Sequence, residues 1–147
     1  MIRDVHIYFN KLDRIAHMFI NERLKDTELS RKLFFYILEL SHQDGITLRD
    51  LSRGVFVDKA NTTRAVARLI DLGYVIKKDN EMDLRSSKIY LTQLGKDAAK
   101  MIDDIFIEWR NLISEGLSDV EKKIVLDVSH KLYKNAFKFY CEIEERR

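Results

Sequence analysis

The chain has no proline, five glycines and a single cysteine in 147 residues. With so few turn residues it cannot supply the many tight connections of a sandwich or barrel, and long helices with few breaks fit it better. One cysteine, Cys141, closes no disulfide within the chain, which excludes a disulfide-stapled secreted scaffold. No apolar run approaches the roughly 18 residues that mark a spanning helix. The first fifteen positions interleave charges (Asp4, Lys11, Asp13, Arg14) with apolar residues, unlike the clean apolar core of a signal peptide. The cytoplasm is therefore the expected compartment, with no membrane partner. An excess of one charge is also lacking: 26 Lys and Arg face 24 Asp and Glu, a net of +2. A nucleic-acid surface, if present, must be local.

What is present is 46% hydrophobic residues, 10% aromatics and 34% charged residues, a balance that excludes global disorder. One packed domain over 1–147 is expected. Ile2, Val5, Phe9, Leu12, Ile15, Ala16, Phe19 and Ile20 recur at steps of three and four and predict an amphipathic helix over about residues 1–25. Thr27 reads as the N-cap of a second helix. Its apolar residues Leu33, Phe34, Ile37 and Leu38 fall on more than one side, so it should be central, ending near Asp44-Gly45.

Three short units follow. Thr47 with Asp50 resembles a capping box and opens a helix of about two turns through Leu48 and Leu51, broken at Gly54. After an apolar turn, Val55-Phe56-Val57, Asp58 caps a helix carrying Ala65, Val66, Leu69, Ile70 and Leu72 that stops at Gly73. The period then changes: Tyr74-Val75-Ile76 and Lys88-Ile89-Tyr90-Leu91 are β-type runs around a polar loop, Asp79–Asp83. Thr92 caps a long helix with Ile102, Ile105, Phe106, Trp109, Leu112 and Ile113 on one stripe, ending at Gly116. Ser118 with Glu121 is a second capping box, before a last helix bearing Val120, Ile124, Val128, Leu132 and Ala136.

Two short helices joined by a tight turn, followed by a hairpin, form the layout of a winged helix-turn-helix: mainly α with a small β-hairpin wing. The second short helix suits a major groove, and the hairpin tip reaches an adjacent minor groove. Residues 47–92, the expected DNA-binding lobe, hold nine Lys and Arg against six Asp and Glu, a net of +3 inside a chain whose total is +2. On the helix from Lys59, residues Asn61, Thr62, Arg64 and Arg68 lie off the apolar face. Asn reads adenine, Arg reads guanine, and Thr suits a phosphate or a thymine methyl. An ordinary solvated helix face would carry the same residue types.

The run Asn61-Thr62-Thr63-Arg64-Ala65-Val66-Ala67-Arg68-Leu69-Ile70-Asp71-Leu72-Gly73-Tyr74-Val75 resembles the recognition helix of the MarR family of bacterial transcriptional regulators. Asp83-Leu84-Arg85-Ser86-Ser87-Lys88-Ile89-Tyr90-Leu91-Thr92, with Gly95 beyond, is similar to that family's wing motif, the more specific of the two. The resemblance implies a homodimer on double-stranded DNA, with residues 1–25 and 93–147 as dimerisation helices. It also implies a repressor of a pseudo-palindromic operator, released by a small anionic or phenolic effector. Arg85 would enter the minor groove, oriented by a charge-assisted hydrogen bond to Asp83. Asn61, Thr62 and Arg64 would face the major groove and Arg68 a phosphate. Lys59 stands where relatives often have proline and adds a possible phosphate contact; Lys88 stands where many have arginine. With Thr63 and Ser86, these residues complete the candidate DNA-contacting set. The alternative is a winged-helix protein-interaction module without specific DNA binding, which has no need for both Asp83 and Arg85.

Independent support for a dimer comes from the last helix, where Val120, Ile124, Val128, Leu132, Ala136, Phe137 and Tyr140 exceed what a helical end normally hides. The competing arrangement has the first helix covering this stripe within one chain. Cys141 lies among Glu142, Glu144 and Glu145, whose field opposes thiolate formation, so an idle thiol is expected. His6, His17, His42 and His130 show no ligand spacing; His42 with Asp44 is the one close polar cluster, and no metal or cofactor is expected. No phosphate loop, nucleophile elbow or zinc-protease motif occurs, so the chain is not expected to be an enzyme. Tyr8, Phe9, Phe19, Phe34, Phe35 and Tyr36 are available to line an effector pocket or to fill the core.

Overall fold

The computed structural model describes residues 2–29, 32–83 and 85–145. The elements run α1 (Ile2–Arg23), α2 (Leu33–His42), β1 (Ile46–Thr47), α3 (Leu48–Gly54), α4 (Lys59–Asp71), β2 (Val75–Asp79), β3 (Ser87–Leu91), α5 (Gln93–Ile113) and α6 (Asp119–Glu145). The chain divides into two compact units, Met1–Trp109 and Arg110–Arg147.

In the first unit the core gathers Leu24, Leu29, Phe34, Ile37, Leu40, Leu51, Leu69, Val75, Ile89 and Ile102, all buried. Helix α2 is central, as its all-round apolar pattern predicts, with Phe34, Tyr36, Ile37 and Leu40 buried. Its start differs from expectation. The Thr27 hydroxyl donates to the Leu24 carbonyl (2.8 Å) and accepts from the Leu29 N–H (3.2 Å), so it shapes the turn after α1. Helix α2 opens later, after Lys32 in the left-handed region (φ 76°), with no side-chain cap. Leu29 is buried and its carbonyl accepts from Phe34 N–H, a contact that the local apolar pattern does not display.

Local chemistry sets the helix-turn-helix boundaries. Thr47 accepts from Asp50 N–H at 3.2 Å and donates to the Asp50 carboxylate at 2.7 Å. Asp58 accepts from Asn61 N–H at 2.9 Å and opens α4. Helix α4 closes in a Schellman motif: Gly73 N–H reaches the Ile70 carbonyl and Tyr74 N–H reaches Leu69, with Gly73 at φ +80°.

The sheet has three antiparallel strands in the order β1-β3-β2, one more than the expected hairpin. Ile46 pairs with Ile89 and Thr47 with Lys88; across the hairpin, Val75 pairs with Leu91 and Asp79 with Ser87. The extra strand is too short to show in a sequence pattern. Asp44 fixes it, its carboxylate accepting from Leu91 N–H at 2.9 Å while Gly45 N–H reaches the Ile89 carbonyl. Strand β2 runs beyond the expected Ile76 to Asp79, with Val75 its one buried residue, so it projects outward as a wing. Thr92 then anchors α5: its hydroxyl donates to the Gly73 carbonyl (2.7 Å) and accepts from Gly95 N–H (3.1 Å).

In the second unit Ser118 and Glu121 form the expected capping box, with Ser118 N–H on the Glu121 carboxylate (2.8 Å) and Glu121 N–H on the Ser118 hydroxyl (3.3 Å). The Ser118 backbone N–H, then the Ser118 hydroxyl, which donates to the same carboxylate at 2.7 Å, hold the Glu121 carboxyl below its ordinary range. Val120, Ile124, Val128 and Leu132 along α6 remain exposed in the single chain.

Candidate nucleic-acid interface

Helix α4 turns Thr62, Val66 and Leu69 inward at steps of four and three, because these positions continue the stripe that packs into the core. Lys59, Asn61, Thr63, Arg64 and Arg68 are exposed on its other faces. Thr62 is therefore a correction to the sequence reading: its exposure is 0%, and its hydroxyl has no hydrogen-bond partner. It faces the core where a major-groove contact was expected. The Thr63 hydroxyl donates to the Lys59 carbonyl at 2.7 Å, so its polar group is spent on the helix backbone.

The remaining polar residues of α4 form a connected series. The Asp58 carboxylate accepts from both the backbone and side-chain amides of Asn61, and the Asn61 side-chain oxygen accepts from Arg64. The backbone N–H of Asn61, then its side-chain amide, hold the Asp58 carboxyl below its usual range. One turn on, Arg68 donates to Glu28 at 2.9 Å, a carboxylate from the segment before α2. Asn61, Arg64 and Arg68 are thus each engaged with a carboxylate or amide of the chain itself.

At the wing, Asp83 and Arg85 are exposed while Ser86 and Lys88 are half-buried; Leu84 lies outside the described residues. The Asp83 carboxylate accepts from the Arg85 backbone N–H at 3.0 Å, a charge-assisted hydrogen bond that closes an Asx turn. The Ser86 hydroxyl donates to the Asp83 carbonyl at 3.1 Å. Lys88 pairs with Thr47 and Lys78 in the sheet, one pair short of the Asp79–Ser87 end of the hairpin ladder.

Between α3, the start of α4 and the wing runs a groove of about 500 Å³. Arg49, Arg53, Lys59, Lys77 and Arg85 line it, against the carboxylates of Asp50 and Asp83. Three of these cations, Arg49, Arg53 and Lys77, escape a motif-based reading. The signal for them is the +3 excess of residues 47–92, which sequence cannot assign to a face. Cations on two sides of a groove with few counter-charges suit a phosphate backbone.

A second cavity of about 520 Å³ is lined by His17, Lys32, Phe35, Tyr36, Val57 and Asn61, among others. Of the aromatics considered for an effector pocket, Phe35 and Tyr36 reach this cavity. Phe34 is core, and Phe19 packs on Trp109 with ring centroids 5.3 Å apart. Tyr8 and Phe9 lie in a separate apolar groove along α1 with Val5, Leu12 and Ile15. Asp44 is occupied with backbone N–H groups, as described, and among the described residues no cluster of three or more His, Cys, Asp or Glu side chains is placed to hold a metal. Cys141 is a half-buried free thiol on α6. No described helix is long and apolar enough to cross a membrane.

These features have counterparts in known proteins. The sequence model of the MarR family matches residues 29–86. Over 119 residues, 81% of this chain and 80% of the relative, the sequence is 33% identical to the HTH-type transcriptional regulator BilQ of Clostridioides difficile (strain CD3). A MarR protein from Peptoclostridium difficile matches the fold with a TM-score of 0.89 at 25% identity, covering 95% of this chain and 92% of that one. A MarR-family chain from Listeria monocytogenes, complexed with 26mer DNA, shares the fold at a TM-score of 0.81 and 21% identity, over 99% of this chain and 94% of that one. With its winged helix-turn-helix and this identity across most of its length, the chain belongs to the MarR family of transcriptional regulators.

Proposed function

We propose that the protein is a homodimeric, sequence-specific DNA-binding repressor of a pseudo-palindromic operator, released by a small-molecule effector. The observation that carries this reading is the basic groove joining α4 to the wing, with Lys59 and Arg85 on its two sides. Residues 47–92 act as the DNA-binding lobe. Asn61 and Arg64 on α4 reach base edges, while Lys59, Arg68 and the groove cations Arg49, Arg53 and Lys77 take phosphates. Arg85 enters the minor groove, where a narrow A·T-rich segment draws it by its negative potential. The Listeria structure with 26mer DNA supports this use of the fold.

Release requires an effector that favours a conformation unfit for DNA. The cavity beside Phe35 and Tyr36 suits one: its volume falls within the range of small-molecule sites, and Asn61 of α4 forms part of its wall. A planar apolar compound with an anionic group would stack on the aromatics and meet Lys32.

The reading is tested by selecting genomic fragments with the purified protein at near-physiological salt. A two-fold symmetric site is expected, with half-site centres about 34 Å apart on one DNA face. Arg85→Ala should weaken binding to that site by about 1–3 kcal/mol while the dimer stays intact. Uniform, salt-sensitive binding with no enriched site would overturn sequence specificity and favour the interaction-module alternative.

A further inference from the structure

We infer that Asn80, a residue outside the recognised wing motif, is the positioning residue that holds Arg85 in its DNA-ready place. The inference rests on the reading of Arg85 as a DNA contact. Asn80 follows the end of β2 and is only 8% exposed, although Glu81, Met82, Asp83 and Arg85 beside it are open to solvent. A buried amide must have its donors and acceptors matched, and here all four polar functions of Asn80 are used. Its backbone N–H donates to the Ser86 carbonyl (3.2 Å), and its carbonyl accepts from Asp83 N–H (3.1 Å). Its side-chain oxygen accepts from Met82 N–H (3.1 Å), and its side-chain nitrogen donates to the Ser86 hydroxyl (2.8 Å). The backbone donor at Met82 fixes which end of the amide is oxygen, so the side chain cannot be turned around without losing a bond.

The bonds continue toward the arginine. The Ser86 hydroxyl, having accepted from Asn80, donates to the Asp83 carbonyl, and the Asp83 carboxylate accepts from Arg85 N–H. Arg85 therefore stands between two anchored residues, Asp83 and Ser86, both of which Asn80 holds. An arginine at the tip of an unbraced loop would lose more conformational entropy on insertion than one whose backbone is already fixed. Ser86, a candidate DNA contact in sequence, has its hydroxyl occupied inside this brace.

The experiment uses the full chain and a labelled duplex drawn from the pool that the unchanged protein selects from random DNA. Asn80→Ala should weaken binding about tenfold, the equivalent of one to two hydrogen bonds' net contribution. In an Arg85→Ala background the same change should weaken it less than about twofold, because Asn80 acts through Arg85. Without DNA, trypsin should cut after Arg85 several-fold faster in Asn80→Ala, while cutting after Arg68 in α4 is unchanged. Asn80→Ser keeps an acceptor for Met82 N–H but cannot reach Ser86; it should show the same pattern at smaller amplitude, and it carries the test if the alanine variant fails to fold. Equal losses with and without Arg85, or an unchanged tryptic rate after Arg85, would overturn the inference. An Arg85→Ala variant that binds as well as the parent would remove the wing from DNA binding altogether, a separate failure read in a separate arm.

Discussion

Thr62 shows how a single side chain can be misread. A threonine beside Asn61 and Arg64 looks like part of a base-reading set, because its hydroxyl is the feature that sequence displays. Its position decides otherwise: four residues before Val66 and seven before Leu69, it continues the apolar stripe of α4 and is wholly buried. The methyl group packs, and the hydroxyl is left without a partner. A buried hydroxyl that makes no hydrogen bond carries a desolvation penalty of about 1–3 kcal/mol, so removing it at constant shape should help. Thr62→Val is expected to leave DNA affinity unchanged and to raise stability by about 1 kcal/mol, read as an upward shift in melting temperature. A loss of affinity without a loss of stability would restore Thr62 to the DNA-contacting set. Asn61, Arg64 and Arg68 were legible as exposed polar residues, whereas their partners were only partly so. Asp58 is three residues from Asn61, within reach of a local reading, but Glu28 is forty residues from Arg68 and meets it only through the fold.

At the scale of elements, what was legible follows the range of the interactions. The helix starts at Thr47, Asp58 and Ser118 and the stop at Gly73 are made within a few residues, and each was readable from spacing. Strand β1 and the late start of α2 depend on contacts with distant chain, Asp44 with Leu91 and Leu29 within the core, and neither leaves a local trace. Gly95 lies between these cases. It belongs to the wing motif by resemblance, and its physical reason is the close passage of α5 beside the start of β2. A Cβ there would collide with the Tyr74 carbonyl oxygen, and this neighbour is backbone that cannot swing aside. In an open helix, glycine to alanine gains about 1 kcal/mol. Here Gly95→Ala should instead destabilise by about 1–3 kcal/mol, as overpacking does. The measurement is urea unfolding of the purified variant, and a higher midpoint at unchanged slope would show that the close passage does not exist in solution.

For the molecule as a whole, the unresolved matter of the sequence reading was where the apolar stripe of the last helix goes. In the single chain it stays open: Val120 is 69% exposed, Ile124 54%, and Val128 and Leu132 46% each. Helix α1 likewise leaves Val5, Tyr8, Leu12 and Ile15 exposed. A monomer rarely leaves a whole apolar helix stripe to water, whereas a two-fold dimer would cover the same stripe on both copies at once. Symmetry would also serve function, since two lobes on one dimer match two half-sites on one face of DNA. Leu132→Asp separates the possibilities because its effect depends on what faces residue 132. On an open helix face an aspartate is well hydrated and the fold should survive, so far-ultraviolet circular dichroism should keep its helical signal. Within a dimer interface the same carboxylate would be desolvated without a partner. Light scattering is then expected to give the mass of one chain where the parent gives two, and operator affinity should fall because each monomer holds a single half-site. If the variant keeps the parent's dimeric mass, the pairing surface does not run through the middle of α6, and the stripe must have some other use.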